Sequence, residues 1–203
     1  MGEIQDDGQF DLLSYARTSA KRVLARLTEP DDDLMPILLA YSGRWGLSIT
    51  GVEIGNAQEK ADLARWMTAR VAVQQAEQAA FICTAYLPLS DDEPGKQSEV
   101  IAIASATREG SQVTQAVSIT RLLRSPTRPP EIGSDWEVTV GDEAAHMGGQ
   151  FGNALQSGLR FAACVSPELQ EILDQGHKEG RISGMVAEFI RAWVRVAAEA
   201  ETN

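Results

Sequence analysis

The sequence predicts an α/β protein of the α+β kind: an antiparallel five-stranded sheet in the order α-ββ-α-βββ, followed by a helical C-terminal part. Three observations carry this. Residues 99–121, EVIAIASATREGSQVTQAVSITR, read as two strands folded back on each other through Glu109-Gly110. Residues 79–87, AAFICTAYL, are almost continuously apolar, as a central strand buried on both faces requires. Apolar residues recur at helical spacing between Asn56 and Gln78, and again from Ile182 to Glu201.

Taken in order, Asp11 to Glu29 is expected to form an amphipathic helix, with Leu13, Ala16, Ala20, Val23, Leu24 and Leu27 at helical spacing. Pro30 and the run Asp31-Asp32-Asp33 end it. The run reads as a solvated linker, because nothing beside it supplies a neutral metal ligand. Met35–Tyr41 and Trp45–Glu53 read as a first hairpin, with Ser42-Gly43-Arg44 at the turn. Gly46 and Gly51 weaken its second strand and point to bulges or a sheet edge. Asn56, with Glu59 three residues on, caps the helix that runs to Gln78 on a stripe of Leu63, Met67 and Val71. Ser90–Ser98 is a polar surface loop.

The long hairpin makes a finer expectation. Gly110 takes positive φ at no steric cost, which tight hairpin turns demand. With a two-residue loop, Arg108 pairs with Ser111. Val100, Ala102, Ala104 and Ala106 then share a face with Ile119, Val117, Gln115 and Val113. That face is mostly apolar, and its alanines leave room for a helix to come close. Ile101, Ile103, Ser105 and Thr107 share the other, mixed face with Ser118, Ala116, Thr114 and Gln112. One helix-covered face and one half-open face are expected. A one-residue slip would exchange the two sets. A Pro-rich break follows at Ser125–Pro130, and the sequence admits a short strand at Trp136–Val140.

From Gly141 the character changes. GDEAAHMGGQFGNALQSG is glycine-rich and irregular, and the remainder reads as two or three helices. The chain is therefore divided into an α+β sheet domain, 1–130, and a glycine-rich connector with C-terminal helices, 131–203. The second part packs on the same domain or on a partner chain. Its last helix places Ile182, Val186, Phe189, Trp193 and Val196 at alternating spacings of four and three, one apolar stripe that must be buried. These residues are the expected association surface. Over roughly residues 10–125 the order of elements resembles the roadblock/longin and profilin-like scaffolds. That resemblance implies a five-stranded antiparallel sheet and work by pairing and partner binding, an implication about function that rests on fold alone.

Charge is unevenly placed. Of the net −11, residues 1–33 carry −4, residues 34–130 carry zero and residues 131–203 carry −7. Acidic flanks disfavour nucleic-acid backbones and anionic lipid, which need clustered Lys and Arg. No uncharged apolar stretch is long enough to span a bilayer. MGEIQDDGQF lacks the apolar core of a signal peptide, and Asp6 breaks the myristoylation pattern. Cys83 and Cys164 sit in apolar runs and are expected as buried free thiols, which suits a reducing cytoplasm.

Few residues point to chemistry. Both histidines follow an acid at i−3, in Glu143/His146 and Asp174/His177. Each pair could chelate a metal on one helix face. Solvated polar faces are the simpler reading, Gly176 argues against a firm helix at His177, and no metal site is expected. Gly148-Gly149-Gln150-Phe151-Gly152-Asn153 could offer backbone N–H groups to an anion, but it lacks P-loop residues and reads as a connector or helix break. Arg121, Arg124 and Arg128 could hold a phosphate or carboxylate, or pair with the chain's own acids. No nucleophile motif and no cofactor motif is present. The resulting expectation is a cytoplasmic, non-catalytic interaction or regulatory domain that self-associates. The alternative is an enzyme or small-anion-binding protein using Arg121/Arg124/Arg128 or Glu143/His146.

Overall fold

The sheet is built around the hairpin that the sequence marks most clearly. In the computed structural model, which describes residues 10–88, 97–133 and 135–201, β4 (Gln97–Glu109) and β5 (Gln112–Ser125) pair antiparallel. The turn sits one residue later than expected: Glu109 faces Gln112, so Gly110-Ser111 is the loop. Gly110 adopts φ 59°, the first central position that a type II′ turn assigns to glycine. The pairing is thereby displaced by two residues. An even displacement leaves each side chain on its expected face.

β1 (Ile37–Ser42), β2 (Gly46–Gly51) and β3 (Gln78–Pro88) complete the predicted five strands. These five are antiparallel to their neighbours, in the spatial order β2-β1-β3-β4-β5. β3 is central, with Ala79, Ala80, Phe81 and Ile82 buried, and β2 is an edge. Two further strands extend the sheet. β7 (Glu137–Val140), within the short strand the sequence admits, pairs with the first half of β5. β6 (Arg128–Ile132) pairs with the second half, in the place of the expected Pro-rich break. Pro129 and Pro130 cannot donate to a ladder, but an edge strand tolerates them.

Both faces of the sheet are covered, contrary to the expected division. The mixed face is the better buried: Ile101, Ile103 and Ser118 are each 0% exposed beneath α1 (Leu12–Leu24). Its hydroxyl groups find partners inside, which is what allows polar residues there. Arg17 Nε donates to Ser118 Oγ at 3.0 Å, and Ser105 Oγ to the Ala116 carbonyl at 3.1 Å. The alanine face is less evenly buried: Ala106 is 1% exposed, Ala104 9%, Ala102 half-buried and Val100 4%. Two helices, α2 (Ala57–Val73) and α3 (Asp142–Ala163), pack over its Ala106 end.

The acidic run after α1 is tied down. Asp32 accepts the N–H groups of Thr28 and Glu29, both at 2.9 Å, bonds that hold its carboxyl below the usual range. Asp33 pairs with Arg124. α2 ends at Val73 rather than Gln78. Gln75 takes φ 52°, and the N–H groups of Ala76 and Gln75 return to the carbonyls of Val71 and Ala72. This is the Schellman arrangement with glutamine in the usual glycine position. Gln78 already belongs to β3. Its amide accepts from Leu12 N at 3.0 Å and donates to the Phe10 carbonyl at 2.6 Å, seating the start of α1.

The glycine-rich stretch is helical, kinked where Gly149 takes φ 54°. Glycine serves there as a small residue. A Cβ on Gly158 would lie 2.7 Å from Val71 Cβ and 2.8 Å from the Thr68 carbonyl, so only glycine lets α3 cross α2 this closely. Leu155 and Leu159 of α3 are fully buried. α4 (Pro167–Lys178) and α5 (Ile182–Glu201) follow. Gly176 lies inside α4 rather than breaking it, and a Cβ there would strike Met185 Sδ. Among the described residues no helix is long and apolar enough to cross a membrane. Residues 90–96 of the expected polar loop lie outside those described.

Candidate functional site

α5 spends its apolar stripe in two places. Met185 and Val186, 7% and 3% exposed, close a core cluster with Ala69 and Val73 of α2 and Leu173 of α4, and Ile182 packs against it. Further along, Phe189 and Trp193 meet Phe161 of α3. Ring centroids lie 5.5 Å apart for Phe161–Phe189, 5.7 Å for Phe161–Trp193 and 6.4 Å for Phe189–Trp193. All three contacts are edge-on, the geometry that the ring quadrupole favours. The side chain of Val196 lies outside the described residues.

Beside these rings α3, α4 and α5 enclose an open apolar groove of about 500 Å³. Phe161 is 42% exposed, Leu169 42% and Ile172 59%, and all three line it. Single exposed hydrophobics are ordinary, whereas a contiguous set in a concave place marks a binding surface. Cys164, expected to be buried, is exposed at the C-cap of α3 and lines the same groove; Cys83 is half-buried in β3. The sequence reading found Phe189 and Trp193 but missed Phe161, Leu169 and Ile172. The signal was the apolar pattern Leu169, Ile172, Leu173, in which only Leu173 turns inward.

The second acid–histidine pair lies at the junction of α4 with α2 and the β1–β2 turn. The His177 ring stacks on Trp45, with centroids 4.4 Å apart and planes 2° from parallel. Its Nε2 donates to the Val73 carbonyl at 2.9 Å, since a carbonyl can only accept. Burial pushes the imidazole pKa down. Asp174 pairs with Arg44, whose guanidinium also lies over the Trp45 ring, and accepts from Gln170 at 2.7 Å. Gln75 accepts from Trp45 Nε1 at 3.1 Å and from Gln170 Nε2 at 2.8 Å. Asp174 and His177 thus fasten α4 to the body of the protein.

Glu143 and His146 are exposed at the start of α3. Among the described residues no three His, Cys, Asp or Glu side chains gather as a metal would need. The arginines are dispersed. The two-residue period of β5 puts Arg121 and Arg124 on opposite faces of the sheet, and Arg128 is exposed on β6. Arg124 binds both carboxylate oxygens of Glu99, at 2.6 and 2.8 Å, and reaches Asp33 and the Asp32 carbonyl. Arg121 shares a hollow of about 570 Å³ with two acids, Asp135 and Glu137. Comparison of the chain with family models, curated proteins and solved structures finds no match.

Proposed function

We propose that the chain is a non-catalytic interaction module that pairs with a second copy through the α3–α4–α5 face. The observation that carries this is the groove lined by Phe161, Leu169, Ile172, Phe189 and Trp193, concave and aromatic at one end. Aromatic side chains in such a setting are the usual anchors of an interface. The charge around it supports self-pairing. Residues 157–195 carry five acids and five bases, although the whole chain carries −11. Two copies meeting there are spared the repulsion that the acidic parts of the chain would impose. A twofold pairing would set the same groove of each copy against the other.

Light scattering on the full chain at micromolar concentration tests this. The expected mass is twice that of the chain, falling to one chain in Ile172→Glu and in Trp193→Glu with the far-UV spectrum unchanged. Ile172 is 59% exposed, so its replacement leaves the core intact. A full-length protein that is already monomeric removes the proposal.

A further inference from the structure

A second groove opens on the alanine face around the half-buried Ala102, with a volume of about 800 Å³. Phe81, Cys83, Ala102, Ala104 and Val117, on three adjacent strands, form its floor. The alanines hollow the sheet surface there, and Met147 and Phe151, on either side of the α3 kink, make one wall. Thr84 and Tyr86 of β3 also line it. They alternate with Cys83 and Ala85, so their side chains point to the opposite face of the sheet. They reach the groove along the edge of the strand.

That edge has no strand beside it. β3 pairs with β4 along its whole length, Gln78 to Pro88, but with β1 only as far as Ile82, opposite Ile37. In an antiparallel ladder, successive residues turn their N–H and C=O groups to alternate neighbours. Counted from Glu109 and Gln112, which close the β4–β5 turn, the alternation gives Cys83 and Ala85 to β4. It turns Thr84 and Tyr86 to the side that β1 has left. The chain before β1, residues 33–36, also lines the groove, yet among the described residues no backbone bond joins it to β3. An apolar floor beside an unpaired strand edge is a site that an added strand fills. Its main chain bonds the edge, and every second side chain meets the floor. The charges in the lining favour neither sign, since Asp33 is held by Arg124 and Glu53 and Lys60 are opposite.

We propose that the groove takes an extended, uncharged apolar peptide segment of another protein, added as a strand to β3 at Thr84–Tyr86. The site is separate from the α3–α4–α5 face and does not depend on pairing. Calorimetric titration with the blocked peptide acetyl-Thr-Val-Ala-Val-Thr-amide tests it. The peptide is expected to bind one to one per chain. Two versions N-methylated on alternate residues should then differ, because only every second N–H of an added strand faces β3. One should bind about tenfold more weakly, through its lost hydrogen bonds to the edge, and the other as before. Ala102→Phe should fill the floor and abolish binding. A second measurement leaves the protein unaltered: saturating peptide should slow amide exchange at Thr84 and Tyr86 several-fold, read by NMR, and leave Leu47 and Ile49 of the edge strand β2 unchanged. No binding, equal binding of the two methylated versions, or unchanged exchange at Thr84 and Tyr86 overturns the proposal. So does protection that appears at Leu47 and Ile49 instead, which would put the peptide on the far edge of the sheet. Binding that survives Ala102→Phe and disappears in Ile172→Glu would put it in the helical groove, and overturns the proposal too.

Discussion

At Gly158 the crossing of α2 and α3 has no space for a methyl group, whereas at Gly148 the nearest atom to a new Cβ is Val117 Cγ2 at 3.8 Å. Gly158→Ala should therefore cost about 2 kcal/mol by overpacking. Gly148→Ala should be neutral or stabilising by up to ~1 kcal/mol through helix propensity. Urea unfolding of the two variants checks the contrast. Glycine is ambiguous in a sequence because it serves loose connectors and close helix crossings alike, and this is why residues 141–158 read as irregular. His177 is the other residue whose role was hidden: its partners Trp45 and Val73 are distant in sequence. Because burial lowers its folded pKa, the unfolded chain takes up a proton first as the pH falls below about 6.5. The stability it supports is present above that pH and is lost as the pH falls toward the folded value. Between pH 7.5 and 5.5 the urea midpoint should drop in the wild type and drop less in His177→Asn. An equal drop in both would show that His177 is not the group responsible.

Among the elements, the strands were the most legible, because alternation and Gly110 fix both the hairpin and its faces even when the loop is misplaced by a residue. Which face a helix covers was not legible. Ser105 and Ser118 suggested water, but their hydroxyls are bonded inside the fold, to groups supplied by β5 and α1. Helix ends failed for a related reason. The close of α2 at Gln75 uses a glutamine where glycine would have announced it, and the side chain repays the strain by joining Trp45 to Gln170. Gln75→Ala keeps the unfavourable φ and loses all the side-chain bonds to Trp45 and Gln170, for a cost of about 2 kcal/mol. Gln75→Gly loses the same bonds but relieves the backbone by roughly 1 kcal/mol, so it should be the milder change. Thermal melts that rank glycine below alanine would show that the left-handed backbone carries no strain.

At the scale of the whole molecule, the division at residue 130 separates parts that share one core. α3 supplies Leu155 and Leu159 to the layer on the sheet, and α5 supplies Met185 and Val186 to the cluster on α2. The stripe on α5 was visible from its spacing. Its split between a buried half and a groove-lining half was not, because the division depends on where α2 and α4 stop touching it. Two truncations exploit that boundary. Ending the chain after Arg181 removes Met185 and Val186 and uncovers Ala69 and Val73, which are 0% and 2% exposed. Losing two buried apolar side chains costs on the order of 2–5 kcal/mol, a large part of a typical net stability. That chain should aggregate or lose its cooperative unfolding transition. Ending it after Arg191 keeps Met185, Val186 and Phe189 and removes Trp193. It should remain folded, with a cooperative melt, and run as a monomer in light scattering. If both shortened chains stay folded and paired, α5 is neither part of the core nor part of the interface. If both unfold, the groove half of α5 belongs to the core, and the pairing surface lies elsewhere.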